Sequence, residues 1–273
     1  MSHVTYMFTI VLGIIIFFFG TIIGSFLNVV IFRFSSGRTL RGRSMCMSCA
    51  RMLDWHELIP LASFFMQNAK CTKCRTKISW QYPTVEALTG LIFVLIVFKF
   101  IPLLSYSMAD FITTVTYSMM LWSIAIVISV YDTKHMIIPD KLVYYFDALA
   151  LAALFLFQNG VLSVHMPSLL ALSAGVFLAL PFAMLWFFSR GHLMGLGDAK
   201  LMLGLGWLVG LGAGFSALMI GVWAGTIVSL YLLVRHKDKF SGTSAVPFGP
   251  FLALGTFIVY IFSIDLITLI QLF

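Results

Sequence analysis

The chain of 273 residues is 61% hydrophobic and only 10% charged, with a net charge of +7. A soluble domain of that length needs far more polar surface, so the chain is expected to dissolve in lipid. No nucleic-acid-binding module accompanies the positive balance, which reads mainly as a membrane-topology signal, with attraction to anionic headgroups second.

The first apolar run covers residues 7–32. No basic segment precedes it and no small-residue cleavage pattern closes it. At about 25 residues it is also longer than a signal-peptide core, so it reads as a retained membrane helix. Further apolar runs follow at 85–98, 111–130, 142–157 and 169–188, then a short glycine-rich one at 199–211, then 215–234 and 248–273. Each lies near or somewhat below the ~20 residues that cross a bilayer, which predicts an all-α polytopic membrane protein of about eight transmembrane helices. With the N-terminus outside, Arg33, Arg38, Arg41, Arg43, Arg51, Lys70, Lys73, Arg75 and Lys77 share one cytoplasmic loop. Lys134, Lys141, Arg190, Lys200, Arg235, Lys237 and Lys239 fall in the other cytoplasmic loops, leaving Lys99 alone outside. Enrichment of positive charge on the cytoplasmic side is what membrane insertion produces.

Residues 34–81 form the one stretch able to leave the membrane, and they hold all four cysteines, as Cys46-Met47-Ser48-Cys49 and Cys71-Thr72-Lys73-Cys74. Two CxxC knuckles at this separation supply four thiolates to one tetrahedral zinc. Arg43, Arg51, Lys70, Lys73 and Arg75 nearby help hold the sulfurs deprotonated. Two disulfides are the alternative, which a reducing cytoplasm disfavours. Such a site is coordinatively closed, so its expected role is to fold a loop too small for a core of its own. His56 lies between the knuckles and reads as an ordinary loop residue. The expected organisation is a first membrane helix at 1–33, a cytoplasmic zinc-binding loop at 34–82, and a helix bundle at 83–273.

Two acids stand where membrane helices meet the cytoplasm in that topology. Asp132 lies in Tyr131-Asp132-Thr133-Lys134, and Asp198 in Gly195-Leu196-Gly197-Asp198-Ala199-Lys200. An ionisable group at such a place is costly and is treated first as functional. Structural alternatives are an N-cap role for Asp198 ahead of a helix at Ala199, and ion pairing of Asp132 with Lys134 or Lys141. Asp140, after Pro139, reads as an N-cap, while Asp147 falls inside a predicted span without an explanation. Asp110 and Asp265 lie nearer the outer side or within the last span.

Paired aspartates suit aspartic proteolysis. Like charges a few ångströms apart cannot both ionise, so one proton is shared. The charged member draws a proton from water while the neutral one polarises the scissile carbonyl. Gly195 and Gly197 would let a substrate backbone approach the acid. Ser25 and Ser129 show no neighbouring histidine and acid for a triad. His135 and His192 flank the two aspartates and read as solvated rather than metal-binding. The glycine-rich 204–214 stretch has no preceding strand and no GK[ST] ending, so it reads as a helix-packing surface.

In order, Gly24-Ser25-Phe26-Leu27-Asn28, the paired cysteine knuckles, Ile59-Pro60-Leu61, Ile78-Ser79 through Tyr82-Pro83, Val85-Glu86-Ala87-Leu88-Thr89-Gly90, Asp132 through Ile138-Pro139-Asp140, Gly195 through Lys200, and Pro247-Phe248-Gly249-Pro250 resemble the bacterial prepilin peptidases, membrane aspartic proteases of the GxGD class. The resemblance runs over almost the whole chain. It implies that Asp132 and Asp198 are the catalytic pair. It also implies that type IV prepilins or pseudopilins are the substrates, cut after a glycine at the cytoplasmic face of the bacterial inner membrane. Members with the cysteine loop typically also methylate the new N-terminal amine with S-adenosylmethionine, so both activities are expected. Departures from the family pattern are Met47 after the first cysteine, Phe34 after Arg33, and His56 before Glu57; none removes a metal ligand or a catalytic acid. Other readings are a peptidase without methyltransferase activity, a proton-coupled transporter, which would place its acids at the midplane of an internal repeat, and a non-enzymatic scaffold using the zinc knuckle.

Overall fold

A computed structural model describes residues 3–34, 42–158, 160–235 and 246–265. Arg38, Arg41, Lys237, Lys239 and the last part of the eighth predicted run, 266–273, lie outside the described residues. Among the described residues, every predicted apolar run contains a helix. In order they are α1 (His3–Arg33), α3 (Gln81–Phe100), α4 (Met108–His135), α5 (Asp140–Leu156), α6 (Leu169–Ser189), α7 (Leu196–Val209), α8 (Leu211–Arg235) and α9 (Gly249–Phe262). The short α2 (Ala62–Met66) follows a 3-10 turn at Trp55–Leu58 inside the cysteine loop. Among the described residues, five segments are long and apolar enough to cross a membrane alone: Thr9–Arg33, Gln81–Ser105, Met108–His135, Leu169–Ser189 and Leu211–Arg235. Helices α5, α7 and α9 are shorter, with 17, 14 and 14 residues. Fourteen residues reach only about 21 Å, less than the ~30 Å hydrocarbon thickness.

The chain divides into two compact units, Met1–Lys99 and Phe100–Phe273. In the first, α1 and α3 pack with their backbones in contact. A Cβ added at Gly20 would lie 2.7 Å from the Gly90 Cα, and one at Gly24 would lie 2.7 Å from the Glu86 Cα. This is the close approach that a small-xxx-small pair permits in lipid, where apolar tails give helices no hydrophobic reason to associate. Ile10, Ile14, Phe18 and Ile22 form an exposed stripe along α1, as a lipid-facing surface requires.

Glycines also set the packing of the second unit. Gly206 of α7 meets Gly175 of α6, where a Cβ would lie 2.8 Å from the Gly175 Cα, and the Trp207 indole donates to Leu172 O at 2.8 Å. Gly221 of α8 lies against Phe251 O of α9, which a Cβ would approach to 2.8 Å. The glycine-rich 204–214 stretch is thus a helix-packing surface, as its sequence predicts. Trp122 of α4 packs edge-on against Phe257 of α9 at 4.7 Å between ring centres, and Ser118 and Tyr260 share a 2.8 Å hydrogen bond. These contacts pack α4 on α9, α6 on α7 and α8 on α9 along their lengths; the acids lie further on, at the last turn of α4 and the first turn of α7.

Candidate active site and metal centre

The two cysteine knuckles are built alike. In the first, Cys46 N–H donates to Arg51 O and Ala50 N–H returns to Cys46 O, both at 2.9 Å. In the second, Cys71 N–H donates to Thr76 O at 2.9 Å and Arg75 N–H returns to Cys71 O at 3.0 Å. Each turn closes through a residue at positive φ, Ala50 at 54° and Arg75 at 58°. Isolated bridges Met45–Met52 and Lys70–Lys77 pin the bases of the knuckles. The four sulfurs lie within 4.8 Å of one another, with Cys46 Sγ and Cys74 Sγ 3.8 Å apart, and all four cysteines are unpaired by disulfides. A tetrahedral metal with ~2.3 Å bonds to sulfur has sulfur–sulfur edges of about 3.8 Å, so the four residues fit a metal ion.

The electrostatics agree. Backbone N–H groups of Cys74 and Lys73 aimed at the sulfur hold the Cys71 thiol down at about 6. Although the Arg51 N–H donates to Cys49, burial and the Cys46 and Cys74 sulfurs push that thiol up to about 11. Thiols crowded together in this way ionise jointly only around a cation.

One clamp joins the knuckles. Arg51, two residues past Cys49, donates from Nη2 to both Glu57 carboxylate oxygens at 2.6 and 2.8 Å and to Thr72 Oγ1 at 2.6 Å. Thr72, next to Cys71, donates to Glu57 Oε1 at 2.8 Å, and Asp54 N–H donates to Oε2 at 3.0 Å. The Arg51 guanidinium holds the Glu57 carboxyl down at about 2. His56 stands edge-on to Trp55, outside the cluster. Outer-shell partners of this kind typically carry 10–100-fold in metal affinity. Glu57→Gln keeps the shape but weakens the charged fork to Arg51, so a competition titration with a chelator should show metal affinity about tenfold or more below wild type.

In the second unit, Asp132 lies in the last turn of α4. The helix stops four residues on, at Met136, whose left-handed conformation (φ 54°) turns the chain out and whose N–H bonds Asp132 O. The Asp132 side chain is buried, and its Oδ2 accepts the Gly249 backbone N–H at 3.1 Å. Gly249 is the first residue of α9, so the positive end of that helix dipole faces the carboxylate.

The structural alternative for Asp198, an N-cap ahead of a helix at Ala199, does not hold: α7 begins three residues earlier, at Leu196, with Gly195 as the cap. Asp198 therefore sits inside the first turn. Its Oδ1 is buried with no hydrogen-bond partner, and its carboxylate lies close enough to feel the charge on Asp132.

Ile138, from the α4–α5 connection, fills the space between these groups. A Cβ at Gly197 would lie 2.8 Å from the Ile138 Cβ; one at Gly249 would lie 2.9 Å from Asp132 Oδ2 and 3.3 Å from the Ile138 Cδ1. Beside Gly195 the space is open, with only the Gly197 nitrogen near, at 3.9 Å. Residues of α4, α7 and α9 thus converge on one point.

The remaining polar residues have plain roles. Asp140 opens α5 as its first residue, with Pro139 as the cap, and receives Lys200 Nζ at 2.8 Å. The same ammonium lies 5.2 Å from the centre of the Tyr144 ring, which fastens α5 to α7. Asp110 sits in the first turn of α4, its N–H bonded to the Ser107 hydroxyl. His135 and His192 are exposed, His135 lying against the Tyr131 ring. Asp147 is buried against Gly204 with Oδ1 unpartnered; no physical account of it emerges from its neighbours. Gly249, Ile138 and the Arg51–Glu57–Thr72 clamp were not given roles from sequence. The only signal for Gly249 is the Pro247-Phe248-Gly249-Pro250 break, which does not reveal a partner 117 positions away.

Comparison with known proteins decides the family. The family model described as the bacterial peptidase A24 N-terminal domain matches residues 18–100, and that of the type IV leader peptidase family matches 119–230. A prepilin leader peptidase/N-methyltransferase of Bacillus subtilis (strain 168) is 30% identical over 261 residues, covering 93% of this chain and 96% of the relative. The chain belongs to the type IV leader peptidase family. A type 4 prepilin-like proteins leader peptide-processing enzyme of Escherichia coli O78:H11 is also 30% identical, over 86% of this chain and 88% of that one. A prepilin leader peptidase/N-methyltransferase of Xanthomonas campestris pv. campestris is 27% identical over 91% and 90%. No solved structure matches the chain. This leader peptidase is therefore a mostly helical, multi-pass membrane enzyme carrying a four-cysteine cluster able to hold a metal.

Proposed function

We propose that the enzyme removes the leader from type IV prepilins or pseudopilins with Asp132 and Asp198 as an aspartic pair, and then N-methylates the new N-terminus with S-adenosylmethionine. The observation that carries the reading is the buried, unpartnered Asp198 Oδ1 beside a buried Asp132, in a chain of the leader peptidase family. An orphaned buried carboxylate oxygen is expensive, and at this point it is free to hold a water or a substrate carbonyl. The Gly249 N–H supports charge on Asp132, which suits that acid to draw the proton from water. Asp198 then polarises the carbonyl, and no covalent intermediate forms.

The metal would be zinc, held by Cys46, Cys49, Cys71 and Cys74 in a closed shell that folds the loop at 34–82. Elemental analysis of the purified enzyme should find one zinc per chain, and none after Cys71→Ser. Orientation follows the positive charges: loop and acids face the cytoplasm, where a prepilin's basic leader remains while its apolar segment enters the bilayer. Gly195 and Gly197 flank the path of the extended leader, Gly195 on its open side.

The test is cleavage of a model prepilin in detergent, followed by product mass. Loss of a leader ending in glycine, followed by a methyl-group gain when S-adenosylmethionine is added, supports both activities. An uncut substrate with a folded, metal-loaded wild-type enzyme rejects the peptidase reading; cleavage without the methyl gain rejects only the second.

A further inference from the structure

Polar side chains line up where α1 meets α3, although both helices are otherwise apolar. Thr21, Ser25 and Asn28 recur on α1 at helical spacing, and Tyr82, Glu86 and Thr89 recur in the same way on α3. Thr21, Asn28, Glu86 and Thr89 are buried. Asn28 Nδ2 donates to Tyr82 O at 3.2 Å, and Gln81 Nε2 reaches Asn28 Oδ1 at 3.5 Å. Thr89 bonds back to Val85 O at 2.7 Å.

Glu86 stands at the centre of this seam, 6% exposed, about 7 Å inside the start of its helix. It accepts the Leu61 backbone N–H at 2.8 Å and the Ser25 hydroxyl, and among the described residues no cation pairs with it. A buried acid in a membrane helix without a counter-ion is costly to keep and points to function.

The residue above it is also unusual. Leu61 holds φ 60° and ψ −55°, and Ala62 N–H bonds Pro60 O across it at 2.6 Å. A leucine in so tight a turn persists only where its surroundings fix it, and such strain clusters at ligand clamps. Here the strained strap lies directly on the acid.

We propose that this seam is the subsite that receives the α-amine of the processed peptide, with Glu86 binding its ammonium form and taking its proton before methyl transfer. The inference rests on the N-methyltransferase reading above. An α-ammonium has no lone pair and cannot attack a methyl group. Glu86 accepts one proton, the freed amine nitrogen forms the new N–C bond as the donor's C–S bond breaks, and the sulfonium sulfur keeps that electron pair and becomes a neutral thioether. The product leaves as an N-methylammonium. The buried carboxylate fits an ammonium because its remaining lone pairs have no positive partner among the described residues.

Glu86→Gln tests this, because the amide oxygen still accepts the Leu61 N–H while the charge and the base are gone. Binding of a synthetic apolar peptide with a free α-amine is compared with that of its N-acetyl counterpart, without methyl donor. Wild type should favour the free amine by about tenfold or more, and the variant should lose the preference. Methylation of the free-amine peptide should fall by about 10²-fold, with partial recovery in Glu86→Asp, while leader cleavage in the same preparation reports that the chain is folded. Equal amine preference and methylation in Glu86→Gln would leave Glu86 as a pin for Leu61 and overturn the proposal. A joint collapse of cleavage, metal content and methylation would overturn it too, as a folding effect. If wild type cuts but never methylates, the N-methyltransferase reading itself falls.

Discussion

Asp132→Asn and Asp198→Asn should each lower the rate of leader cleavage by about 10³-fold or more, with helix content and metal content unchanged. Asparagine has the shape of aspartate, and its amide oxygen can still accept the Gly249 N–H, so the bond seen at 3.1 Å need not break. What is lost is the exchangeable proton that the proposed pair of carboxylates would share. A loss of 10³ corresponds to about 4 kcal/mol of barrier, more than one hydrogen bond contributes and in line with removal of a reacting group. In the proposed mechanism the two acids act on one water and one carbonyl, so the double variant should be no slower than the slower single variant. Losses that multiplied would mean that each acid acts separately.

Gly249→Ala is the second large effect. Its new Cβ would lie 2.9 Å from Asp132 Oδ2 and 3.3 Å from the Ile138 Cδ1. The carboxylate has to give way, and a displacement near 1 Å in a catalytic group costs on the order of 10²-fold. The loss should appear in kcat with KM little changed, because the new methyl meets Asp132 and Ile138. Gly197→Ala meets the Ile138 Cβ at 2.8 Å, which is no flexible tip, so it should lower thermal stability as well as rate. Gly195→Ala enters open space and should leave stability unchanged; a rise in KM there would report on the path of the substrate. A Gly249→Ala enzyme with wild-type kcat would mean that Asp132 does not have to stay where it is.

Much of this was legible in the sequence, because the signals are local. Runs of Ile, Leu and Phe mark α1, α3, α4, α6 and α8 whatever surrounds them, since a membrane leaves a backbone little choice but a helix. The paired CxxC spacing predicts the sulfur cluster because each knuckle is a self-contained turn. Boundaries were less legible. Gly195 caps α7, where an Asp198 cap had been the structural alternative, since the Leu196-Gly197 pair favours no start site strongly. Asp140 is held by Lys200, sixty positions away, which no local pattern reveals. The Thr72 bond to Glu57, the Leu61 N–H on Glu86 and the Gly249 N–H on Asp132 likewise join residues well apart in the chain, and they make the candidate sites specific. Asp147, buried beside Gly204, is unexplained in both readings.

The most direct measurement of the central claim uses a prepilin peptide whose scissile amide is replaced by a hydroxyethylene unit, a mimic of the tetrahedral species that two carboxyl groups would bind. Wild type should hold it at least 10²-fold more tightly than the parent amide peptide, and Asp132→Asn and Asp198→Asn should each abolish that preference while still binding the amide form. Equal affinity for the two peptides in wild type, or a preference that survives either substitution, would contradict an aspartic pair at Asp132 and Asp198.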